Sequence, residues 1–143
     1  MSAEDNKALV RRYYEEVLTQ GNLALLDELF TPAFVSRGPT GPEAGLEAFR
    51  QAVLRSRAAF PDLQVRVEDQ VAEGEKVASR WMVRGTHRGA FAGVPPTGRQ
   101  VTATAIHIHR VADGRIAELW EQFDLLGLLQ QLGVVPGPGK GTS

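Results

Sequence analysis

Apolar residues recur every three to four positions in the first third of the chain and every second position over much of the rest, so helices precede strands. Between residues 3 and 20, Leu9, Tyr13 and Val17 form a stripe flanked by Val10, Tyr14 and Leu18, which predicts an amphipathic helix. Ser2 fits its N-cap, Asp5 its first turn and Gly21 its stop. Asn22 fits the cap of a short second helix, LALLDELF. That helix should end before Thr31-Pro32, because a residue preceding proline avoids helical conformation. TPAFVSRGPTG reads as a loop. Pro42 suits the first turn of a third helix, with Leu46, Phe49 and Val53 inward and Pro61 closing it.

From Asp62 the period is two. LQVRVEDQV alternates Leu63, Val65 and Val67 with Gln64, Arg66 and Glu68, as a strand with one wet face does. Glu73-Gly74 marks a turn, KVASRWMVRGTH a second strand, and RGAFAGVPPTGR a Gly- and Pro-rich loop. QVTATAIHIHRV and RIAELWEQFD are two further strands joined at Asp113-Gly114, a hairpin signal. LLGLLQQLG closes the fold as a short helix, and VVPGPGKGTS reads as a frayed tail. Helices segregated from an antiparallel meander define the α+β class, in one domain over residues 1–133 with a tail at 134–143.

A two-residue loop at Asp113-Gly114 sets Ala112 opposite Arg115. Continued without interruption, this register sets His109 opposite Glu118, His107 opposite Trp120, and Ala103 opposite Asp124, all on one surface. The other surface would carry Ile106, Ile108, Leu119, Glu121 and Phe123, a face able to meet a partner subunit. Polar groups converging beside small residues such as Ala103 and Ala105 describe a ligand cavity. Across the 89–99 loop, His87 would fall near Val101 and Ala103, close to Asp124, and Trp81 would face His107. The expected cavity thus has an acid–base end (His87, Asp124) and an aromatic–histidine end (Trp81, His107, His109, Glu118, Trp120).

Each candidate has a plainer role. Asp124 suits the N-cap of the last helix, Glu118 a cross-strand ion pair, and Tyr13, Tyr14 and Trp81 the core or the cavity wall. His107 and His109 have the spacing of a strand-borne metal pair, but His87 falls at the far end, so no metal is expected. With 16 basic against 17 acidic residues, a net charge of −1 and no cysteine, the chain has no nucleic-acid footprint, no disulfide and no thiolate. No apolar run matches a signal peptide or a membrane span, and the expectation is a cytoplasmic protein.

The pieces FPDLQVRVED, GTHRGAFAGVPPTGRQV and HRVADGRIAELWEQFDLLGLLQQLG closely resemble the SnoaL-like polyketide cyclases, or ester cyclases, of the NTF2-like superfamily, over about residues 6–133. The resemblance implies an α+β cone, a curved antiparallel sheet wrapped around N-terminal helices with an internal pocket, in a homodimer or higher homo-oligomer. It implies ring closure of a polyketide-like ester by intramolecular aldol condensation, with no cofactor or metal. Asp124 matches the family's general acid/base and His87 the histidine of its G-T-H motif. Arg37 stands where many relatives carry a histidine, and His107 and His109 where many carry other residues. The expectation is an acid/base enzyme acting on a small apolar carbonyl or ester compound, with His107, Trp120, Trp81, His109, Glu118, Tyr14 and Arg37 about the substrate. The alternative is a non-catalytic protein that holds a small molecule.

Overall fold

A computed structural model describes residues 2–38 and 43–136. The helical segment α1 (Ala3–Arg12) starts at Ser2, the expected N-cap, which forms a capping box with Asp5 in which each side chain satisfies the other's backbone N–H. It continues as a π-helical stretch, Tyr13–Thr19. The wider π turn brings the adjacent Tyr13 and Tyr14 both into the core, where an α-turn would splay them about 100° apart. Gly21, at φ +78°, ends the segment as expected. The LALLDELF segment is shorter than its pattern suggests. It is one 3₁₀ turn, Leu23–Leu25, followed by α2 (Leu26–Leu29), and Asn22 makes no side-chain capping bond.

The largest departure comes next. TPAFVSR is not a loop but most of β1 (Phe30–Arg37), which runs parallel to β6 (Arg115–Trp120). Pro32 argues against a strand because it lacks a donor. The pairing is irregular between Phe30 and Val35, and that irregularity accommodates it. Phe30, Phe34 and Ser36 point inward and are buried. The strand β2 (Ala44–Gly45) pairs with β1, and α3 (Leu46–Ala59) packs with Phe49 and Val53 inward. The third helix does not begin at Pro42 as expected: Ala44 and Gly45 are held in a strand, so α3 starts only at Leu46, while Pro42 itself and the tail beyond residue 136 lie outside the described residues.

The remaining strands follow the period-two pattern: β3 (Gln64–Glu73), β4 (Lys76–Thr86), β5 (Gln100–Ala112) and β6. Sheet order is β2-β1-β6-β5-β4-β3, a curved and unclosed six-stranded sheet. The helical segments pack on its concave face, and the mixed α+β architecture is the one expected. Tyr13, Phe30, Phe34 and Phe49 interlock there at centroid separations of 4.7–5.9 Å. Helix α4 (Leu125–Leu132) closes the end of the sheet and stops at Gly133 in the left-handed region. No described helix is long and apolar enough to cross a membrane.

One bulge decides which side chains face the helices. Asp113 and Gly114 both adopt positive φ, the turn their sequence predicts, and Ala112 pairs with Arg115. Val111 then pairs with Ile116, but Arg110 pairs with Glu118, leaving Ala117 as the inserted residue. Beyond it His109 faces Leu119 and Ile108 faces Trp120, and a bridge joins Ala105 to Phe123. A one-residue slip turns every later side chain over. Leu119, Glu121 and Phe123 therefore point inward, while Glu118, Trp120 and Asp124 point outward. On β4 the register also differs, with Trp81 opposite Ala105 and Ser79 opposite His107. That offset is even, so the inward set predicted for β4 and β5 is kept.

Candidate functional site

A cavity of about 380 Å³ lies between the concave face of the sheet, α3, α4 and the π-helical segment. It falls within the usual size range of small-molecule sites. Phe49, Phe60, Val83, Phe91, Ala103 and Leu128 supply most of its apolar wall. Six residues bring polar or indole groups to it: Tyr13, Ser56, Trp81, Arg84, His107 and Glu121. Ala103 and Ala105 on β5 are buried and small, as predicted, and leave room beneath α4.

Glu121 follows the last residue of β6, where its N–H donates to the Arg37 carbonyl at 2.8 Å. Burial raises the pKa of its carboxyl, and hydrogen bonding from the Ser36 hydroxyl opposes that only in part. His107 holds the facing position on β5, midway between the Ile108–Trp120 and Ala105–Phe123 pairs. Burial lowers the His107 pKa to about 4, so its imidazole is neutral at physiological pH. Tyr13 and Tyr14 are pushed well above the ordinary phenol value by burial. A carboxyl with raised pKa beside a neutral imidazole in an apolar cavity is a proton-transfer arrangement.

Other sequence candidates lie elsewhere. Asp124 is exposed on the outer side of the sheet, where its Oδ1 accepts from Gly127 N–H at 2.9 Å and caps α4. A Cβ at Gly127 would collide with that carboxylate, so the pair is built as a cap. Asp124→Ala should destabilise the protein by about 1 kcal/mol in urea titration, and Asp124→Asn by much less, since asparagine caps as well.

His87 is fully buried but does not line the cavity or approach Asp124. Its Nδ1 accepts from Thr97 N–H at 3.1 Å, and its ring packs on Phe60 at 5.5 Å. It ties down the 88–99 loop. Glu118, expected opposite His109, is held by Arg110 at 2.9 Å and Arg37 at 2.6 Å on the outer side. Arg37 is further engaged by Glu43, so neither it nor Glu118 reaches the cavity. Trp120 stacks under Lys76 at 5.2 Å, away from the site. His109 and Tyr14 face inward but sit behind the cavity wall. Among the described residues, no three His, Asp or Glu side chains are grouped to hold a metal.

Sequence reasoning missed Glu121 and undervalued Tyr13. Leu119 and Phe123 share the inward face with Glu121, but only because of the bulge at Ala117, which an uninterrupted register does not contain.

Comparison with known proteins places this chain in a family. Nogalonic acid methyl ester cyclase of Streptomyces nogalater is 32% identical over 114 residues, covering 76% of this chain and 83% of that protein. AclR of Streptomyces galilaeus, provisionally assigned as a hydroxylase, superposes with a TM-score of 0.88 at 30% identity, over 99% of this chain and 88% of AclR. Wild-type IdmH of Streptomyces antibioticus, provisionally assigned as a polyketide cyclase, superposes with a TM-score of 0.80 at 36% identity, over 90% and 99%. The family model for SnoaL-like polyketide cyclase matches residues 8–132, and the chain belongs to that family.

Proposed function

We propose that this protein closes a ring in a small, apolar, polyketide-type ester by intramolecular aldol condensation, using acid/base chemistry and no cofactor. The observation that carries this reading is Glu121, a carboxyl of raised pKa inside the cavity, across the ladder from His107. As a carboxylate, Glu121 takes a proton from the carbon α to the ester carbonyl. The enolate carbon attacks a second carbonyl in the same molecule, forming the new C–C bond. The resulting alkoxide recovers the proton from Glu121, so no proton or electron is gained or lost overall. His107 hydrogen-bonds the oxygen on which charge develops, and the apolar walls keep water from quenching the enolate.

Asp124 and His87 have framework roles in this reading: Asp124 sets the start of α4, and His87 fixes the loop that carries Phe91. A purely binding role is less well supported. A binder has no need of a carboxyl held at raised pKa, and the relative from Streptomyces nogalater is a methyl ester cyclase. The outer face of β5 exposes Ile106 and Ile108, which supports a homodimer packed through that surface.

The test is incubation of purified protein with nogalonic acid methyl ester, the substrate class named by its relative. Ring closure gives a product of unchanged mass and altered chromatographic retention. Ester that is bound and returned unconverted would remove catalysis from the account.

A further inference from the structure

We propose that the rings of Tyr14, Trp81, His107 and His109 enclose one ordered water molecule, through which His109 sets the tautomer of His107. The proposal rests on the assignment of His107 to the substrate cavity. The four rings form a closed circuit, with centroid separations of 5.3 Å for Tyr14–Trp81, 5.0 Å for Trp81–His107, 6.4 Å for His107–His109 and 5.9 Å for His109–Tyr14. All four residues are buried, Tyr14 and His109 to 0% exposure.

Between them they hold five buried polar atoms with no hydrogen-bond partner among the described residues: Tyr14 Oη, Trp81 Nε1, His107 Nε2 and both ring nitrogens of His109. The Ser79 hydroxyl is close enough to offset a little of the rise that burial causes in the Tyr14 pKa, but it is not in hydrogen-bonding geometry with it. Protein interiors satisfy nearly all such atoms, and where no protein group can, an ordered water with two to four polar partners does.

The donor count matches one water. An indole N–H can only donate, a phenol can donate, and each neutral imidazole has one nitrogen able to accept. Burial keeps both imidazoles neutral, His107 with a pKa of about 4 and His109 of about 3. Trp81 and Tyr14 therefore fill the water's two lone pairs, and its two hydrogens go to His107 Nε2 and to one nitrogen of His109. The other His109 nitrogen keeps its hydrogen. The ring meets Tyr13 and Tyr14 edge to face, at 63° and 82°, where a weak N–H contact to an aromatic face is available.

The consequence is chemical. His107 accepts at Nε2, so its proton resides on Nδ1, the nitrogen not sealed behind the cavity wall. It is thereby fixed as a donor to an enolate or alkoxide oxygen. His109 touches no substrate and is a positioning residue.

Nitrogen-15 spectra of the full-length protein, with labelled histidine, read the tautomer directly. Wild type should show His107 as the Nδ1–H form, and a high-resolution crystal structure should show one water at the centre of the circuit. His109→Phe and the milder Trp81→Phe should each convert His107 to a mixed or Nε2–H population. In the ring-closure assay they should lower kcat about tenfold or more with little change in KM. Should a variant fail to fold, the wild-type measurements still decide. An Nε2–H form of His107, or a circuit without water, overturns the proposal, as does an unchanged tautomer in folded His109→Phe. His107→Phe closing rings at the wild-type rate would instead remove His107 from the reaction while leaving the water site standing.

Discussion

Replacing Glu121 by glutamine lowers kcat for ring closure by about two to four orders of magnitude, with KM nearly unchanged. Glutamine keeps the size of the side chain and can still bond Ser36, but it cannot take or return a proton. The pH dependence carries the same signature. Glu121 acts as a carboxylate, and burial raises its pKa, so kcat should climb as pH rises through that elevated value. The limb should vanish in Glu121→Gln. Asp124→Asn is the counterpart, because it preserves the cap of α4 while removing the charge. It should retain kcat within a few-fold. The reverse outcome, with Asp124→Asn inactive and Glu121→Gln active, would move the chemistry to the outer side of the sheet.

Acid should destabilise this protein before most of its surface carboxylates are neutralised. His107 and His109 are buried neutral, with pKa values of about 4 and about 3 against 6.5 in the unfolded chain. Both folded values are depressed, so their contribution to stability is whole above pH 6.5. It is lost progressively as pH falls from there towards 3, because only the unfolded chain binds the protons. By about pH 4.5 the loss is on the order of 2–3 kcal/mol from each imidazole, a large share of the 5–15 kcal/mol that holds a typical domain together. Glu121 works in the opposite sense: its raised pKa favours the fold at low pH and costs stability as pH rises through that value. Urea titrations at about pH 7 and about pH 4.5 measure the difference. A folded His109→Phe variant should lose roughly half as much on acidification. An equal loss in wild type and variant would show that His109 is not the group responsible.

The two predictions meet in one stretch of chain, HIHRVADGRIAELWEQFD. The hairpin turn was legible there, since Asp-Gly tolerates the two positive φ angles that the turn requires. The inward direction of His107 and His109 was legible too, because alternation along β5 is uninterrupted. The bulge at Ala117 was not. Nothing local marks it, as a small residue between Ile116 and Glu118 fits a regular strand equally well. Both Ile116 and Ala117 are buried, and only the core beneath them makes that arrangement favourable. Glu121 was thus assigned to the wrong face, and Asp124, Glu118 and Trp120 to the cavity. The parallel strand β1 was hidden for a related reason: Pro32 forbids regular pairing, and only the neighbouring β6 shows how the irregularity is absorbed.

Sequence alone determined the α+β order, the helix stops, the hairpin, the family and the existence of an inward row of small residues and histidines. Those features depend on residues near one another in the chain, through backbone conformation, capping and periodicity. Which carboxylate enters the cavity was decided only by tertiary structure. A single inserted residue reverses the faces of a strand, and the cost of burying one face rather than the other depends on side chains from α1, α3 and β1 that are distant in sequence.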